Sequence, residues 1–291
     1  MLELKFEVCG FFKLEAIKPD GSKRIVADWF PNLITNNGLN LLATSSATFS
    51  YCHVGSGSTD PAVTDTQLTT FIAGVLFKSS SSAVQAISPY YTALIRVYSF
   101  NAGVADGNLS EIGIGFTSTT GNLFSRALIL DGAGNPTTIT ILPDEVLDVT
   151  YECRIYVPET DILGTIVLNS ISYDWTSRAS LAGTLSWSIT TIQTAASITV
   201  CDAPIGLITT SPAGSASLGT DTTAAYIADS HYVDVTVTWG LTLGNFTGGI
   251  DSVFGSIGSA WYQIGFSPAI PKTSSDTLTL VIRHSWGRKT I

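Results

Sequence analysis

The chain has 291 residues, with 14 Lys and Arg against 23 Asp and Glu, and its formal net charge is −9. This charge excludes the phosphate backbone of a nucleic acid as the main partner, because such binding depends on clustered Lys and Arg. Charged residues make up 13% and hydrophobic residues 45% of the chain, yet no apolar run reaches the roughly 18 residues that a membrane helix needs. We therefore predict no membrane insertion, and a subunit whose surface is partly covered by neighbours.

The amino terminus alternates apolar and charged residues from Leu2 to Val8. This pattern predicts a strand with one buried face and excludes the apolar core of a signal peptide, so synthesis in the cytoplasm is expected. Another strand is predicted to begin near Phe11, and the turn at residues 18–21, Lys-Pro-Asp-Gly, predicts that these strands form a hairpin. Four widely spaced cysteines are expected to be reduced and buried: Cys9, Cys52, Cys153 and Cys201.

Most of the remaining patterns predict strands, and helix is scarce. Residues 36–46 predict a short helix with Thr35 or Asn36 as its cap, and residues 62–71 predict one more short helix. The clearest strand is 145–157, where apolar and polar residues alternate. Further strands are predicted at 127–130 and 138–141 around a hairpin turn, at 162–173 and at 185–200, followed by a loop or weak strand pair at 209–225.

These patterns predict a mainly β fold, an antiparallel β-sandwich architecture, possibly duplicated, with one or two short helices. Three pairs of segments are similar in the same chain order, namely 88–98 with 230–239, 111–116 with 261–266, and 145–154 with 276–285. Pro158 cannot donate to a sheet, and polar residues follow it. We therefore predict two β-sandwich-like domains: residues 1–158, with the short helix near 36–46, and residues 159–291.

The sequence contains no motif that indicates catalysis or metal binding. The histidines lack a second ligand at a metal-binding spacing, the loop at 55–59 lacks the Lys-Ser/Thr pair of a phosphate-binding loop, and the turn at 131–136 lacks the carboxylates of a calcium loop. The groups considered were His53, His231 and His284; the carboxylates Asp144, Glu145 and Asp148; and the tryptophans Trp175, Trp187 and Trp239. We interpret the carboxylates as strand-edge and solvent-face residues. The tryptophans are interpreted as core or interface residues, with a sugar-stacking platform as the alternative. We predict no catalytic, cofactor-binding or metal-ligating residues.

Several segments together resemble tail proteins of long-tailed bacteriophages, in particular tail-tip, baseplate and tail-fibre components. The segments are 29–39 (WFPNLITNNGL), 54–59 (VGSGST), 108–113 (NLSEIG), 123–127 (LFSRA) and, more loosely, 270–273 (IPKT) through 283–288 (RHSWGR). The resemblance covers residues 25–157 well and brings little to residues 160–255. It implies a β-rich virion structural protein held in a symmetric assembly, and it transfers no catalytic residue.

The resemblance implies a tail-tip or baseplate subunit that connects the tail to fibres, made in the host bacterial cytoplasm and located in the virion tail. The alternative is a receptor-binding tail-fibre protein that attaches to a host surface glycan or pilus. A third class, an enzyme such as a polysaccharide depolymerase, has no sequence support, so we predict that the protein is not an enzyme. The expected partners are other copies of the chain, with a trimer favoured, and other phage tail or baseplate proteins. A host surface receptor is a further expected partner under the alternative.

Overall fold

A computed structural model of the chain describes residues 1–44, 49–181, 195–257 and 260–291. Strands account for 57% of the chain and helix for 3%, with one helix in the described part. The strand pairs whose register is resolved are antiparallel, as in the hairpin between residues 2–17 and 23–31. The predicted mainly β, antiparallel fold class is therefore confirmed.

The chain divides into two compact units. The first unit comprises Val8–Ala83, Ala93–Arg154 and Arg288–Ile291, and the second unit comprises Met1–Glu7, Val84–Thr92 and Ile155–Gly287. The change of unit at Ile155 lies close to the division predicted at 158/159. Three short segments belong to the unit opposite to that of the residues next to them in the chain, namely 1–7 and 84–92 in the second unit and 288–291 in the first. They were not predicted, because a proline followed by polar residues indicates only one boundary.

The first part of the chain forms eleven of the described strands and the helix. They are β1 (Leu2–Ile17), β2 (Lys23–Pro31), β3 (Leu33–Ile34), α1 (Asn36–Thr44), β4 (Tyr51–Gly55), β5 (Phe71–Gln85), β6 (Tyr91–Phe100), β7 (Gly107–Leu109), β8 (Glu111–Gly115), β9 (Leu123–Leu128), β10 (Ile139–Ile141) and β11 (Val146–Tyr156). In the first unit the strand order is β3-β9-β8-β4-β5-β6-β11, while β10 pairs with β7. The separate strand predicted to begin near Phe11 is wrong, since residues 2–17 form the single strand β1, and β1 forms a hairpin with β2 around the turn at 18–22.

The second part of the chain forms nine further strands. They are β12 (Ile162–Leu168), β13 (Ile171–Ser180), β14 (Ala195–Cys201), β15 (Ala216–Leu218), β16 (Thr220–Thr223), β17 (Tyr232–Trp239), β18 (Ile250–Ile257), β19 (Ala260–Ile270) and β20 (Leu278–Arg288). One sheet has the order β12-β13-β19-β18-β14-β15, and a second row has the order β16-β17-β20. Of the strand predicted at 185–200, residues 185–194 lie outside the described residues. The low-complexity segment 209–225 contains the short strands β15 and β16.

Alternating burial along β11 confirms the strand predicted at 145–157. Its inward side chains are at most 1% exposed, namely Leu147, Val149, Tyr151, Cys153 and Ile155. The four cysteines are buried and free of disulfides, as expected. Trp175 and Trp239 are buried, which agrees with their interpretation as core residues, while Trp187 lies outside the described residues.

The helix α1 begins as predicted, and the second predicted helix is wrong. The Thr35 hydroxyl accepts a hydrogen bond from the Gly38 N–H at 2.8 Å, so Thr35 is the amino-terminal cap. Positions 45–46 of the predicted helix lie outside the described residues. Residues 62–71 form turns rather than a helix, because the backbone N–H groups of Thr69 and Thr70 donate to a distant carboxylate, that of Glu111.

The turn predicted at 131–136 is present, but the hairpin around it is only partly correct. The Asp131 carboxylate accepts hydrogen bonds from the Ala133 and Asn135 N–H groups, each at 2.9 Å, and these bonds lower the pKa of Asp131. An isolated bridge joins Leu130 and Pro136. Strand β10, however, pairs with β7 instead of returning along β9. A tight turn therefore specifies that the chain reverses direction, but it does not specify which strand the following segment pairs with.

The two units share one strand order. Strands β3, β9, β8, β4 and β5 of the first unit correspond to β13, β19, β18, β14 and β15 of the second, and β6 and β11 correspond to β17 and β20. The single strand β5 pairs with both β4 and β6, and its counterpart is divided at Gly219 into β15 and β16. The corresponding strands follow one another in the same chain order. This agreement is what a duplicated architecture requires.

Two of the three predicted sequence echoes match this correspondence. Segments 88–98 and 230–239 contain β6 and β17, and segments 145–154 and 276–285 contain β11 and β20. The third echo is wrong, since 111–116 contains β8 whereas 261–266 lies in β19, the counterpart of β9. Apolar alternation is shared by all half-buried strands, so it does not distinguish neighbouring strands of one sheet.

A prediction follows from the close approach of α1 to β9. A Cβ atom at Gly38 would overlap the Phe124 carbonyl group, which belongs to the backbone and is not free to rotate away. We expect Gly38→Ala to lower the free energy of unfolding by about 1–3 kcal/mol, measured by urea denaturation. Gly132→Ala is the matched control, because a Cβ atom there meets nothing within 4 Å. Equal stability of the two variants would contradict the prediction.

Candidate functional site

Four of the segments that carry the resemblance meet at one place in the first unit, namely 29–39, 54–59, 108–113 and 123–127. The Asn32 side-chain amide donates to the Ser125 hydroxyl at 2.8 Å and to the Tyr151 hydroxyl at 3.2 Å. The Thr35 hydroxyl donates to the Leu123 carbonyl at 2.7 Å. Segment 29–39 is thereby fixed against segment 123–127.

The end of the chain joins the same place. The Arg288 guanidinium donates to the Ile34 carbonyl and to the Asn36 side-chain oxygen, each at 2.5 Å. Both acceptors lie where the chain enters α1. A segment near the carboxyl terminus is therefore joined to the first segment of the resemblance, about 250 residues earlier in the chain.

Glu111, at the start of β8, is the centre of the site. Its side chain is completely buried, and its carboxylate accepts hydrogen bonds from the N–H groups of Gly57 (3.0 Å), Thr69 (3.0 Å) and Thr70 (2.6 Å). The Arg126 Nε–H donates to the same carboxylate at 3.0 Å. Backbone N–H groups of the loop between β4 and β5 that lack a sheet partner therefore donate hydrogen bonds to this one carboxylate.

Arg126, on β9, is only 2% exposed and connects the carboxylate to the rest of the loop. Its Nη1 lies 2.7 Å from the Asp65 carboxylate. Its Nη2 donates to the Thr59 carbonyl and to the Thr69 hydroxyl, each at 2.8 Å. The planar fork of donors on one guanidinium therefore holds both sides of the loop at 56–70. We call the network of Asp65, Glu111 and Arg126 the first loop anchor.

A neutral set of side chains occupies the corresponding position in the second unit. The Ser252 hydroxyl of β18 donates to the Ala203 carbonyl at 2.6 Å. The Gln263 amide of β19 donates to the Leu207 carbonyl at 2.9 Å, and its oxygen accepts from the Gly206 N–H at 2.7 Å. These contacts hold the loop between β14 and β15. We call Ser252 and Gln263 the second loop anchor.

The strand registers show that the two anchors are equivalent position by position. Three pairs of residues that face each other on neighbouring strands of the first unit have equivalent pairs in the second unit. Gly55–Glu111 corresponds to Cys201–Ser252, Glu111–Leu128 to Ser252–Gly265, and Leu33–Arg126 to Arg178–Gln263. Glu111 thus corresponds to Ser252, and Arg126 corresponds to Gln263. One architectural position is ionic in the first unit and neutral in the second.

A small cavity lies beside each anchored loop. In the first unit it measures about 250 Å³, and its wall includes Pro31, Leu128 and Leu130 together with Asp60 and Arg126. In the second unit it measures about 210 Å³. Its wall includes Thr176, Gly265 and Ser267, which correspond to Pro31, Leu128 and Leu130, together with Asp174, Asp251, Pro204, Ile205 and Phe266. The second cavity therefore carries the carboxylates of Asp174 and Asp251, whereas the first carries the carboxylate of Asp60 and the guanidinium of Arg126.

A larger cavity of about 400 Å³ in the second unit is lined partly by Tyr90, Glu159, Asp161, Arg178 and Leu207. The Arg178 guanidinium binds both oxygens of the Asp161 carboxylate, at 2.8 and 2.6 Å, and holds the pKa of that carboxyl below its usual value. The Ser88 hydroxyl donates to the Glu159 carboxylate at 2.8 Å. Two of the charged groups that line this cavity, Arg178 and Asp161, are therefore paired with each other.

The histidines considered in the sequence do not converge on a common site. The Nε2 of His53 donates to the Thr117 carbonyl at 2.6 Å, and burial lowers the pKa of this histidine. His284 is completely buried on β20. His231 lies in the loop before β17, and its carbonyl accepts from the Trp286 N–H at 3.0 Å. No group of three or more His, Cys, Asp and Glu side chains is placed to hold a metal ion within the described ranges.

The other sequence candidates have structural partners. Glu145 binds Arg24 through both carboxylate oxygens, at 3.1 and 2.7 Å, and this contact lowers the pKa of Glu145. Asp148 accepts from the Ser99 hydroxyl at 2.6 Å, while Asp144 is exposed. In the loop at 55–59, the Gly57 N–H binds Glu111 and the Ser56 N–H binds the Thr70 carbonyl. These donors are therefore directed inward and do not face a ligand.

Glu111 and Arg126 lie in two of the resembling segments, but no role was predicted for either residue. The available signal was their isolation, since each is the single charge in an otherwise uncharged strand, EIGIG and LFSRAL. In a chain with 13% charged residues, a lone charge inside a fully buried strand indicates a buried partner.

Comparison with protein-family models, with curated proteins and with solved structures gave no match. Within the described ranges, no helix has both the length and the apolar character needed to cross a membrane.

Proposed function

We propose that the protein is a non-enzymatic structural subunit of a bacteriophage tail, a tail-tip or baseplate component that connects the tail to fibres. The observation that carries this proposal is the convergence of the resembling segments on the first loop anchor. Segments 54–59, 108–113 and 123–127 contribute contacts to that anchor, and segment 29–39 contacts the same loop through the Asn36 N–H, which donates to the Val63 carbonyl at 2.7 Å. Together these contacts fix the shape of one loop on one sheet, and a fixed loop suits a protein that works by presenting a rigid surface.

The distribution of charge and apolar surface supports a subunit of a larger assembly. Several of the few charged residues are paired inside the molecule, as in the contact between Arg126 and Glu111. Large apolar side chains are meanwhile exposed, among them Leu163 at 72% and Val167 at 68%. Exposed apolar groups in a sparsely charged chain favour permanent neighbours. We propose other copies of the chain and other tail proteins as these neighbours, with a trimer as the assembly that the resemblance favours.

The receptor-binding alternative is favoured by one observation, the cavity beside the second loop anchor. Its wall combines the carboxylates of Asp174 and Asp251 with the hydroxyls of Thr176 and Ser267. Carboxylates accept hydrogen bonds from sugar hydroxyl groups, and Thr and Ser hydroxyls both donate to them and accept from them. This combination suits a surface glycan.

Gold-labelled antibodies against the chain, applied to virions of a phage that encodes it, test the proposal. We expect gold particles at the distal end of the tail in electron micrographs. Virions of the same phage labelled with pre-immune antibodies are the control. Absence of label from virions, with the protein remaining in the soluble lysate, would overturn the proposal.

Adsorption of the purified protein to host cells separates the two functions. A connecting subunit is expected to stay in the supernatant when cells are sedimented. Co-sedimentation with the cells, abolished by removal of the surface glycan, would favour the receptor-binding alternative.

A further inference from the structure

Strand β12 is an end strand of the six-stranded sheet in the second unit. All seven of its residues pair with β13, from Ile162 opposite Ser177 to Leu168 opposite Ile171. No described strand pairs with its other side. The outer side of β12 therefore presents a row of backbone N–H and C=O groups that is available to another strand.

The other sheet ends formed by described strands are short or charged, and β12 is neither. Strand β3 has two residues, β15 has three, β16 has four with Asp221 among them, and β2 carries Lys23, Arg24 and Asp28. Strand β12 reads ILGTIVL, with seven residues, no charge and no proline. Natural proteins normally block long sheet ends with charge, proline or extreme shortness. An end strand of this length without charge or proline indicates that another strand pairs with its free side.

The exposed side chains of β12 lie on one face of the strand. Leu163, Thr165 and Val167 are exposed, while Ile166 on the opposite face is 9% exposed. On that opposite face, a Cβ atom at Gly164 would overlap the ring of Trp175, so the strand is packed closely onto β13. Strand β12 also has no counterpart in the first unit, where the order ends at β3, the counterpart of β13. It is therefore an addition to the shared strand order.

We propose that β12 pairs with β12 of a second copy of the chain, antiparallel and about a twofold axis at Thr165. Thr165 is the middle residue of the strand, so this register places Leu163 opposite Val167 of the second copy and Thr165 opposite itself. Each apolar side chain then meets an apolar side chain, and the two Thr165 side chains, whose hydroxyls each donate to Asp174 of β13 in their own copy at 3.2 Å, lie side by side. An uncharged strand carries no like-charge repulsion into this pairing. A twofold contact uses the same surface on both copies, and the strand is complementary to itself in this register.

This inference rests on the proposed function, a subunit present in several copies, and deepens it by naming one contact between copies. The twofold contact is compatible with a threefold interface elsewhere, since two trimers joined through β12 form a hexamer. The contact therefore predicts an assembly with an even number of copies.

Light scattering on the purified full chain tests the contact. We expect the mass of a dimer or a hexamer, reduced to one half in Thr165→Lys, which places two ammonium groups opposite each other. Thr165 is exposed, so the subunit is expected to fold. Ser274→Lys, which adds the same charge to an exposed position in the loop before β20, is expected to leave the mass unchanged. An unchanged mass both in Thr165→Lys and in the double variant with Asp174→Asn, which removes the carboxylate opposite position 165 on β13, would overturn the contact.

Disulfide formation tests the register. In Thr165→Cys, the two introduced thiols face each other, and oxidation by diamide is expected to give a covalent dimer on a non-reducing gel. In Leu163→Cys, the register separates the two thiols by four residues along the strand, ~13 Å, so no covalent dimer is expected. The four native cysteines are buried. Equal cross-linking of both variants would overturn the register centred on Thr165.

The two proposals fail in different ways. A wild-type trimer that Thr165→Lys leaves intact would overturn the twofold contact and leave the structural role in place. A monomer at micromolar concentration would count against both proposals.

Discussion

Replacing Arg126 by Met is expected to lower the free energy of unfolding of the first unit by about 3 to 5 kcal/mol. The substitution leaves the Glu111 carboxylate completely buried without its cation and removes the partner of Asp65. The cost is large because an uncompensated charge in the interior loses the solvation that it has in the unfolded chain. Urea denaturation measures the change.

The loop at 56–70 is expected to become the first site of proteolysis in this variant. Arg126 donates to Thr59 and Thr69, near the two ends of that loop, so its loss releases both sides together. Limited proteolysis followed by mass spectrometry locates the cleavage. The parent protein, digested under the same conditions, supplies the reference pattern.

Lys13→Met is the matched control in the same unit. Lys13 pairs with Glu15 at 3.3 Å, but both side chains are about one quarter exposed, so the loss is expected to stay within about 1 kcal/mol. The double variant Glu111→Gln with Arg126→Met is expected to be more stable than the sum of the two single losses predicts, because it removes both buried charges. A loss in Arg126→Met no greater than that in Lys13→Met would show that the anchor contributes no stability.

The second unit is expected to lose about 3 kcal/mol of stability between pH 7 and pH 4 through His284 alone. The His284 side chain is completely buried, and neither ring nitrogen has a hydrogen-bond partner in the described residues. Burial lowers its pKa to about 3, from the ordinary value of 6.5. Its ring packs edge-on against that of Tyr262, with 4.9 Å between the centroids, and burial raises the pKa of this tyrosine.

The direction of the effect follows from proton binding. Between pH 6.5 and about 3 the unfolded chain holds a proton on His284 and the folded chain does not, so the unfolded state gains stability as the pH falls. The stability associated with neutral His284 is therefore fully present above pH 6.5 and is lost progressively below it. Urea denaturation at a series of pH values measures this slope.

His284→Phe isolates the contribution of this histidine from the protonation of carboxylates. Phenylalanine keeps an aromatic ring and has no nitrogen to protonate, and it loses no hydrogen bond in the described structure. The variant is expected to match the parent at pH 7 and to exceed its stability by about 3 kcal/mol at pH 4. Parallel pH profiles of the two proteins would contradict the prediction.

The local pattern of the sequence determined several of the strands, but the single strand predicted at 162–173 is wrong, because a turn at residues 169–170 divides it into β12 and β13. Alternation along 145–157 depends only on the two-residue period of a strand, so it gave the buried face of β11 correctly. The hairpin at 18–21 and the cap at Thr35 are likewise properties of a few adjacent residues. Local chemistry of this kind is readable before any tertiary contact is known.

Tertiary structure decided which strands are neighbours and where the buried charges meet. Glu111 and Arg126 are 15 residues apart, and Asp65 is 61 residues from Arg126, so their contact depends on the strand order and on the path of the loop. The same dependence made residues 62–71 a loop, because Glu111 takes N–H groups that a helix would have used. Alternation alone also matched β8 to β19 instead of β18, since half-buried neighbouring strands carry the same pattern. The sequence by itself determined the class of the fold and the local elements, and only the folded sheets determined the two loop anchors, because strand pairing joins residues whose separation along the chain carries no local signal.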